Sequence, residues 1–488
     1  MTQPSTHHDE QYDFRLGYLL CISLVSALGG LLFGYDLLVL SGAKQFYEEL
    51  FQIAGKDSDS TLLQGWAASS CVIGCIIGAL GVGKPCDRFG RVAILKLSAL
   101  LFLASALWTS VAPDLTQFAL ARIVGGLGMG MAATVSPMYI AEVSPARLRG
   151  RFVSLNQLTI VLGILAAQAV NYLILTSHPL PIDPQTGKEV ADAALLDTWN
   201  GRIGWRAMFG VEAIPALLLF VCAFFIPRSP RWLVKRGLED KAAAVLTRLG
   251  GPRYASDALA EIETTLSEGH REAGLAELLK PRMKRIMAIG VFLAVFQQWC
   301  GINVIFVYAA DLFEAAGYSV TDIFLQLVVI GTTNLVCTFL GMALVDSLGR
   351  KPLLVAGSIG LAITYTCIGV AYYFDFSGLA VVVFAIASCG VFAATLGPVV
   401  WVVISELFPN RIRGVAVSFA VASLWAANFV LIVSFPRLKA ALGPAGCFAV
   451  YAVVCLCGVV YIVCKVPETK SKSLEELEHE LCDNHSIG

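Results

Sequence analysis

Charged residues are scarce in this chain of 488 residues. Asp, Glu, Lys and Arg together make up 15% of it, and hydrophobic residues make up 57%. A soluble domain carries about 25% charged residues, so the composition excludes an ordinary soluble protein. The net charge of −1 gives no indication of a nucleic-acid partner, and none is expected.

Catalytic and metal-binding patterns are also missing from the sequence. The 14 cysteines are scattered through apolar runs without the spacing of metal ligands. We interpret them as small buried hydrophobic residues, and a disulfide framework is not expected. There is no nucleophile–base arrangement and no phosphate-binding loop, so we expect neither an enzyme nor an organic cofactor, and no metal site.

Long apolar segments dominate the chain instead. Each is long enough to cross about 30 Å of hydrocarbon as a helix. We predict an all-α membrane protein with twelve spans, at 16–41, 62–82, 92–112, 115–140, 152–175, 207–227, 286–312, 323–345, 352–373, 378–404, 414–434 and 445–466. These limits define two six-helix bundles, 16–227 and 286–466, with tails at 1–15 and 467–488.

Loop charges predict how the chain is oriented. Loops 83–91, 145–151 and 228–285 are rich in Lys and Arg, whereas the alternate loops carry few. By the positive-inside rule, both termini and the linker 228–285 are cytoplasmic, and the protein is a multi-pass protein of the cell membrane. Within the linker, 231–249 and 258–279 mix apolar and charged residues at helical spacing and are predicted to be cytoplasmic helices.

Asp36 is the most informative residue because it lies inside an apolar run, Leu28–Leu40. A carboxylate at membrane depth costs about 2.5–3.5 kcal/mol, so a functional role with a charged partner is its default interpretation. The alternative is a position near the membrane surface. Two other charges lie inside spans, Arg122 and Glu212. A purely structural ion pair between those two residues is a second alternative.

The two halves of the chain repeat charged motifs at matching spacing, as transporters with internal repeats do. Asp87, Gly90 and Arg91 recur as Asp346, Gly349 and Arg350, 259 residues later, and a Glu–Arg motif recurs 264 residues later. The glycines suit tight turns. The positive-inside rule alone leaves the acids unexplained. We predict a charge network at cytoplasmic helix ends, which joins the halves in the outward-facing state, formed by Asp87, Arg91, Glu142, Arg149, Asp346, Arg350, Glu406 and Arg413.

Several motifs resemble those of the sugar porter family of the major facilitator superfamily. They include Gly34-Tyr35-Asp36, Asp87-Arg88-Phe89-Gly90-Arg91, Gln297-Gln298 before Gly301-Ile302-Asn303, Gly397-Pro398 before Trp401, and Pro467-Glu468-Thr469-Lys470. The chain is most similar to bacterial xylose–proton symporters and facilitative glucose transporters. The resemblance covers about residues 15–480 and implies two six-helix bundles around a central site that works by alternating access.

The resemblance also implies a role for the buried charges. Asp36 and Arg122 would pair across neighbouring spans, and protonation of Asp36 would release Arg122. Proton symporters of the family carry Asp, Arg and Glu at the positions of Asp36, Arg122 and Glu212, whereas facilitative carriers lack the Asp. We therefore expect a proton-coupled monosaccharide symporter, functioning as a monomer in the lipid bilayer. The alternatives are a facilitative uniporter and a non-transporting sugar sensor, although the tail of about 20 residues is short for a signalling domain.

A sugar site needs side chains that donate and accept hydrogen bonds, together with apolar faces. The resemblance assigns these roles to Phe33, Gln157, Gln297, Gln298, Asn303, Asn334, Trp401 and Trp425. Isolated amides such as Asn171 and Gln168 are better explained as contacts between helices. Leu424, Val307 and Arg228 depart from the family pattern, and the sugar, xylose or glucose for example, is not identified by the sequence.

Overall fold

Helices make up the fold of this protein. The computed structural model describes residues 12–55, 57–145, 148–184, 189–190, 192–268, 281–376, 378–408 and 413–468. Within these ranges the regular structure is helical apart from one isolated bridge between Ile182 and Glu189. The all-α class is therefore confirmed. The tail residues 1–11 and 469–488, and residues 269–280 of a predicted linker helix, lie outside the described residues.

The first half of the chain, as far as it is described, forms eight helices. They are α1 (Leu16–Leu50), α2 (Ser58–Gly81), α3 (Gly83–Phe89), α4 (Arg91–Val111), α5 (Leu115–Val143), α6 (Arg149–Ser177), α7 (Trp205–Gly210) and α8 (Ala213–Cys222). Short 3₁₀ and π-helical turns, Asp192–Asp197 and Asn200–Gly204, precede α7.

The linker and the second half follow the same pattern. The linker contains α9 (Pro230–Lys235) and α10 (Glu239–Glu268), and α10 is kinked at Gly250 and Gly251. The second half contains α11 (Pro281–Trp299), α12 (Ile302–Val307), α13 (Ala309–Ala315), α14 (Val320–Leu348), α15 (Arg350–Tyr373), α16 (Gly378–Ala394), α17 (Leu396–Leu407) and α18 (Arg413–Lys465).

The twelve predicted membrane crossings are accounted for. Eleven helical segments in the described part of the chain are long and apolar enough to span a membrane. The last of them, Ala416–Lys465, has 50 residues, and such a helix is about 75 Å long, more than twice the ~30 Å core of a bilayer. Gly443 has a φ of +66° and interrupts α18. This segment therefore crosses twice.

The first span is longer than the sequence predicts. α1 continues to Leu50 instead of ending at residue 41. The additional turns bury Ala43, Phe46 and Tyr47 against the core. Tertiary packing therefore extends the helix beyond its apolar run.

Three predicted spans, 207–227, 286–312 and 378–404, are not single regular helices. The second breaks at Gly301, with a φ of +92°, and the third at Thr395, whereas the turn before Ala213 in the first keeps helical backbone angles. The first of these spans also ends at Cys222, ahead of Pro227, because proline cannot continue the helical hydrogen bonds. Broken spans of this kind commonly line the binding sites of transporters.

Three sets of helix–helix contacts join the two halves. α2 contacts α18, α6 contacts α14, and α1 contacts α12 and α13. Small residues bring helices close together within the first half. For example, a Cβ on Gly126 of α5 would collide with the carbonyl group of Cys71 on α2. Close helix packing of this type is typical of membrane bundles.

The linker covers the end of the first half at which α1 begins, which we call the proximal end; the opposite end is the distal end. Arg15 N donates to Leu249 O at 2.9 Å, and Trp232 Nε1 donates to Asp87 O at 3.0 Å. The predicted tight turns are confirmed, because Gly90 and Gly349 have φ values of +87° and +92° that favour glycine.

Candidate functional site

Asp36 and Arg122 form a buried ion pair between α1 and α5. Their side chains are 1% and 3% exposed. Arg122 Nη1 contacts Asp36 Oδ1, and Nη2 donates to the Asp36 carbonyl oxygen at 3.0 Å. Cys71 on α2 donates its thiol proton to Asp36 Oδ2 over 3.2 Å. The charged partner that an apolar helix requires for Asp36 is therefore present.

Glu212 is the third charged member of this cluster. It lies in the turn between α7 and α8, is 1% exposed, and is close enough to Asp36 and Arg122 to interact with both electrostatically. Buried charges are tolerated when they compensate one another. Two carboxyl groups and one guanidinium group are electrically neutral when they hold one proton. Arg122 forms its ion pair with Asp36, and no ion pair between Glu212 and Arg122 is found among the described residues.

Amide side chains form a second cluster around the break at Gly301. Gln298 Oε1 accepts from Asn303 Nδ2 at 2.5 Å and from Asn428 Nδ2 at 2.7 Å. Gln297 Nε2 donates to the carbonyl oxygens of Leu396 and Gly397, at 3.3 and 3.1 Å. The cluster therefore ties α11, α17 and α18 together at two of the broken spans.

Asn428 was missed by the sequence analysis. It lies three residues after Trp425, on the same face of α18, and it is 2% exposed. A signal was available, because an asparagine inside an apolar span is costly and needs a partner. Its position in the eleventh span would have placed it beside Trp425.

Some polar atoms in this cluster have no partner in the described structure. Gln297 Oε1 and Asn428 Oδ1 are buried acceptors without a donor, and Trp425 Nε1 is a buried donor without an acceptor. Buried groups of this kind are costly unless something satisfies them. The set offers both acceptors and a donor, which is what a hydroxyl group, itself donor and acceptor, can satisfy.

The aromatic rings and the ion pair meet between the two halves. Phe33 on α1 and Trp425 on α18 are in edge contact, with ring centroids 5.8 Å apart. Trp425 and Arg122 line a common cavity of about 10 Å³, roughly the space of one water molecule. Val307, one of the departures from the family pattern, also lines this cavity. The charged cluster and the amide cluster are thus neighbours.

The remaining predicted sugar-site residues lie on α6, α14 and α17. Gln157 is half-buried on α6, and Asn334 is buried on α14. Trp401 on α17 is 39% exposed. In the described part of the chain, none of the three shares a hydrogen bond or ring contact with the Gln298 or Trp425 groups.

The repeated charged motifs pair within each half at the proximal end. Arg91 contacts Glu142 at 2.7 Å and Asp87 at 3.7 Å. In the second half, Arg350 binds Glu406 through two nitrogens, at 2.9 and 3.2 Å. Arg149 is exposed at the start of α6. The side chains of Asp346 and Arg413 lie outside the described residues.

Arg228, which departs from the family pattern, packs against an aromatic ring of the linker. Its guanidinium group lies 5.1 Å from the ring centroid of Trp232, a cation–π arrangement. Lys235 contacts Asp87 at 3.4 Å. The linker therefore holds the first copy of the motif through its own side chains.

Comparisons with known proteins now identify the family. The family model described as "Sugar (and other) transporter" matches residues 22–481. The chain belongs to this sugar transporter family. It is 38% identical to the D-xylose-proton symporter of Escherichia coli (strain K12), over 95% of this chain and 96% of that relative. It is 34% identical to the arabinose-proton symporter of Bacillus subtilis (strain 168), over 95% of both chains.

Solved structures agree with this assignment. A partially occluded inward-open structure of the E. coli xylose transporter matches with a TM-score of 0.82 and 35% identity. The match covers 94% of this chain and all of that one. The sugar transporter described here is therefore a multi-pass membrane protein with the major facilitator fold, and it is a transporter rather than an enzyme. The recognition made from the sequence motifs is confirmed.

The ion pair in this sugar transporter predicts a specific stability pattern. Arg122→Met leaves the Asp36 and Glu212 carboxyl groups without their cation, so we expect a loss of about 3–5 kcal/mol in unfolding free energy. The double variant Arg122→Met/Asp36→Asn should recover part of that loss. Thermal unfolding in detergent measures both.

Arg202→Gln is the control for this prediction, because its ion pair with Asp197 is exposed, at 67% and 86%, and should contribute little. Equal unfolding temperatures for Arg122→Met and the parent would contradict the interpretation of Asp36 and Arg122 as a buried pair.

Proposed function

We propose that this protein is a proton-coupled monosaccharide symporter. The observation that carries the proposal is the buried cluster of Asp36, Arg122 and Glu212, which adjoins the aromatic and amide groups. Titratable groups inside a span are functional by default. Named relatives transport xylose, arabinose or galactose together with protons. The coupling ion is the proton, and no further cofactor is needed.

The charges of the cluster suggest how a proton is used. With one proton shared between Asp36 and Glu212, the cluster is neutral and Arg122 remains paired. A second proton would neutralise both carboxyl groups and leave Arg122 as an uncompensated cation. That state favours movement of Arg122 away from Asp36, which is a local electrostatic switch of the kind that biases a two-state element.

The amide and aromatic cluster is proposed as the sugar site. Support comes from the unsatisfied atoms of Gln297, Asn428 and Trp425, because sugar hydroxyl groups can donate to and accept from such atoms. Phe33 and Trp425 provide apolar faces for the ring carbons. Gln157, Asn334 and Trp401 complete the proposed site from facing helices. Leu424 is buried and apolar, so it leaves this site with fewer hydrogen-bonding groups.

The membrane arrangement follows from loop charge. We infer that both termini, the tails 1–15 and 467–488, and the linker 228–285 are cytoplasmic. The bundles 16–227 and 286–466 would then alternate access around the site, as a monomer in the lipid bilayer. The proximal end is cytoplasmic in this orientation. The Arg91–Glu142 and Arg350–Glu406 groups lie there, each within its own half, and their proposed role is to join the halves when the site faces outward.

A facilitative uniporter is less well supported by this site. A carrier without proton coupling has no need of two buried carboxyl groups beside a single guanidinium group. The paired Asp36 therefore favours symport over uniport. Measured sugar transport, with or without proton coupling, would exclude a non-transporting sugar sensor.

The first prediction concerns coupling. Asp36→Asn should abolish sugar accumulation against a gradient, because the amide cannot exchange a proton. Sugar binding should survive, since asparagine resembles protonated aspartate in shape. Proteoliposome uptake of labelled sugars, with and without a pH gradient, measures coupling. The exposed Asp59→Asn is the matched control. Proton-driven accumulation by Asp36→Asn would contradict the assignment.

The second prediction concerns the sugar site. Gln298→Ala should leave sugar hydroxyl groups and two asparagines without their partner, at a cost of about 1–3 kcal/mol, or roughly tenfold or more in affinity. Calorimetric titration measures this change. Asn171→Ala is the control, because Asn171 bonds the Val39 carbonyl oxygen at 3.2 Å and is interpreted as a helix contact. Unchanged affinity in Gln298→Ala and Gln297→Ala together would place the site elsewhere.

The third prediction concerns the charge network at the proximal end. Arg91→Ala leaves Glu142 and Asp87 without their shared partner, so the variant should favour inward-open conformations. Net transport should slow while sugar binding stays near normal. After the 14 native cysteines are removed, a cysteine in the cytoplasmic vestibule should be labelled faster in Arg91→Ala than in Arg88→Ala or the parent. Equal labelling rates, with transport lost through weaker sugar binding, would argue against this role.

A further inference from the structure

A second group of buried charges lies at the distal end, apart from the site described above. Lys44 on α1 contacts Asp311 on α13 at 2.7 Å and Glu48 at 3.1 Å. Lys439 on α18 lies 3.6 Å from the same oxygen of Asp311. Lys44 follows Asp36 by eight residues, which is about 12 Å along the helix. The group is therefore separate from the Asp36 cluster.

The Lys44–Asp311 contact joins the two halves of the protein. Of the ion pairs formed between described residues, it alone crosses from one half to the other. The Lys44 and Asp311 side chains are 3% and 20% exposed. Gln45 adds a second polar link by donating to Glu314 at 3.3 Å. At the distal end the two halves are thus held together by a largely desolvated charge pair.

The neighbours of this pair are arranged so that it can open. Glu48 lies on the same helix as Lys44, and Lys439 belongs to the same half as Asp311. If the halves separate at the distal end, Lys44 keeps Glu48 and Asp311 keeps Lys439. Each half then retains one positive and one negative charge. Neither carries the isolated buried charge that makes breaking a buried ion pair so unfavourable.

Free acceptor atoms support the same exchange of partners. Glu48 Oε1 and Asp311 Oδ2 are buried and have no hydrogen-bond partner in the described structure. Each carboxylate therefore has an acceptor available for a closer contact with its lysine once the cross-half pair is broken. The Lys44 ammonium group also lies 5.3 Å from the ring centroid of Tyr308, so its contacts extend to the end of α12.

We propose that Lys44 and Asp311 form a reversible latch that closes the distal side of the transporter, and that Glu48 and Lys439 receive the two charges when the latch opens. The latch biases the protein towards the state closed at the distal end. This inference rests on the alternating access proposed above and is independent of proton coupling.

The test compares two pairs of substitutions in full-length protein in detergent, without sugar and without a pH gradient. Lys44→Met/Asp311→Asn removes the cross-half pair and leaves Glu48 and Lys439 apart. We expect amide hydrogen exchange in segment 38–50 to become about tenfold faster, because exchange reports the population of the opened state. Glu48→Gln and Lys439→Met remove the receiving partners, and each should make exchange slower than in the parent.

Arg202→Gln is the matched control, because it removes an exposed ion pair from the connection between α6 and α7. Thermal unfolding of each variant separates a loss of folding from a shift between conformations. Unchanged exchange in a folded Lys44→Met/Asp311→Asn variant would overturn the latch. Faster exchange in Glu48→Gln or Lys439→Met would overturn the receiving role, since a simple rigid cluster loosens whichever charge is removed. Neither result depends on whether sugar uptake is driven by protons.

Discussion

The buried contact between Asp36 and Arg122 is the constraint on which the rest of the site depends. Two charges can remain inside an apolar bundle only while each satisfies the other. This requirement fixes α1 against α5, and the buried Glu212 lies near the same two groups. The neighbouring Trp425 belongs to the opposite half. Any change in the charge of the cluster therefore acts at the boundary between the two halves.

The breaks in the spans bring uncharged polar groups together, as the ion pair does for charged ones. Gly301 and Thr395 interrupt two helices at one level, so backbone carbonyl groups and amide side chains can meet without a continuous helix between them. Unsatisfied backbone groups are tolerated in a membrane only where protein or a polar cavity receives them. Gln297 Nε2 donates to two carbonyl oxygens, those of Leu396 and Gly397 in the first turn after the break. The polar surface is thus created by helix interruption as much as by side-chain choice.

Much of this arrangement could be predicted from the sequence, for physical reasons. Apolar length predicts the crossings, and a lone carboxylate in such a run demands a partner, so Asp36 could be singled out at once. Gly90 and Gly349 could be read as turns because the motif repeats. Other features depend on three-dimensional packing. The end of α1 beyond residue 41 is helical because Phe46 and Tyr47 are buried, which no local pattern reveals.

It was harder to predict which polar residues contact each other than to predict which polar residues are buried. A structural ion pair of Glu212 with Arg122 was one alternative, and the structure places Glu212 near Asp36 as well as near Arg122. Asn428 escaped notice because a single amide in a long apolar helix has the same local signature as an ordinary helix contact. The distal charges on α1 were read as loop residues, since the helix was expected to end before them.

Gln297 is a difficult position at which to change sugar preference by design. Its side chain donates two hydrogen bonds to the carbonyl oxygens of Leu396 and Gly397. Its amide nitrogen supports the bend between α16 and α17, while its amide oxygen is a buried acceptor without a donor in the described structure. A substitution there would remove support from the backbone of the tenth span as well as change the polar groups of the proposed sugar site. The Gln298 side chain hydrogen-bonds only to other side chains, those of Asn303 and Asn428. Its substitution would therefore disturb the backbone less, which makes it the better position at which to begin such redesign.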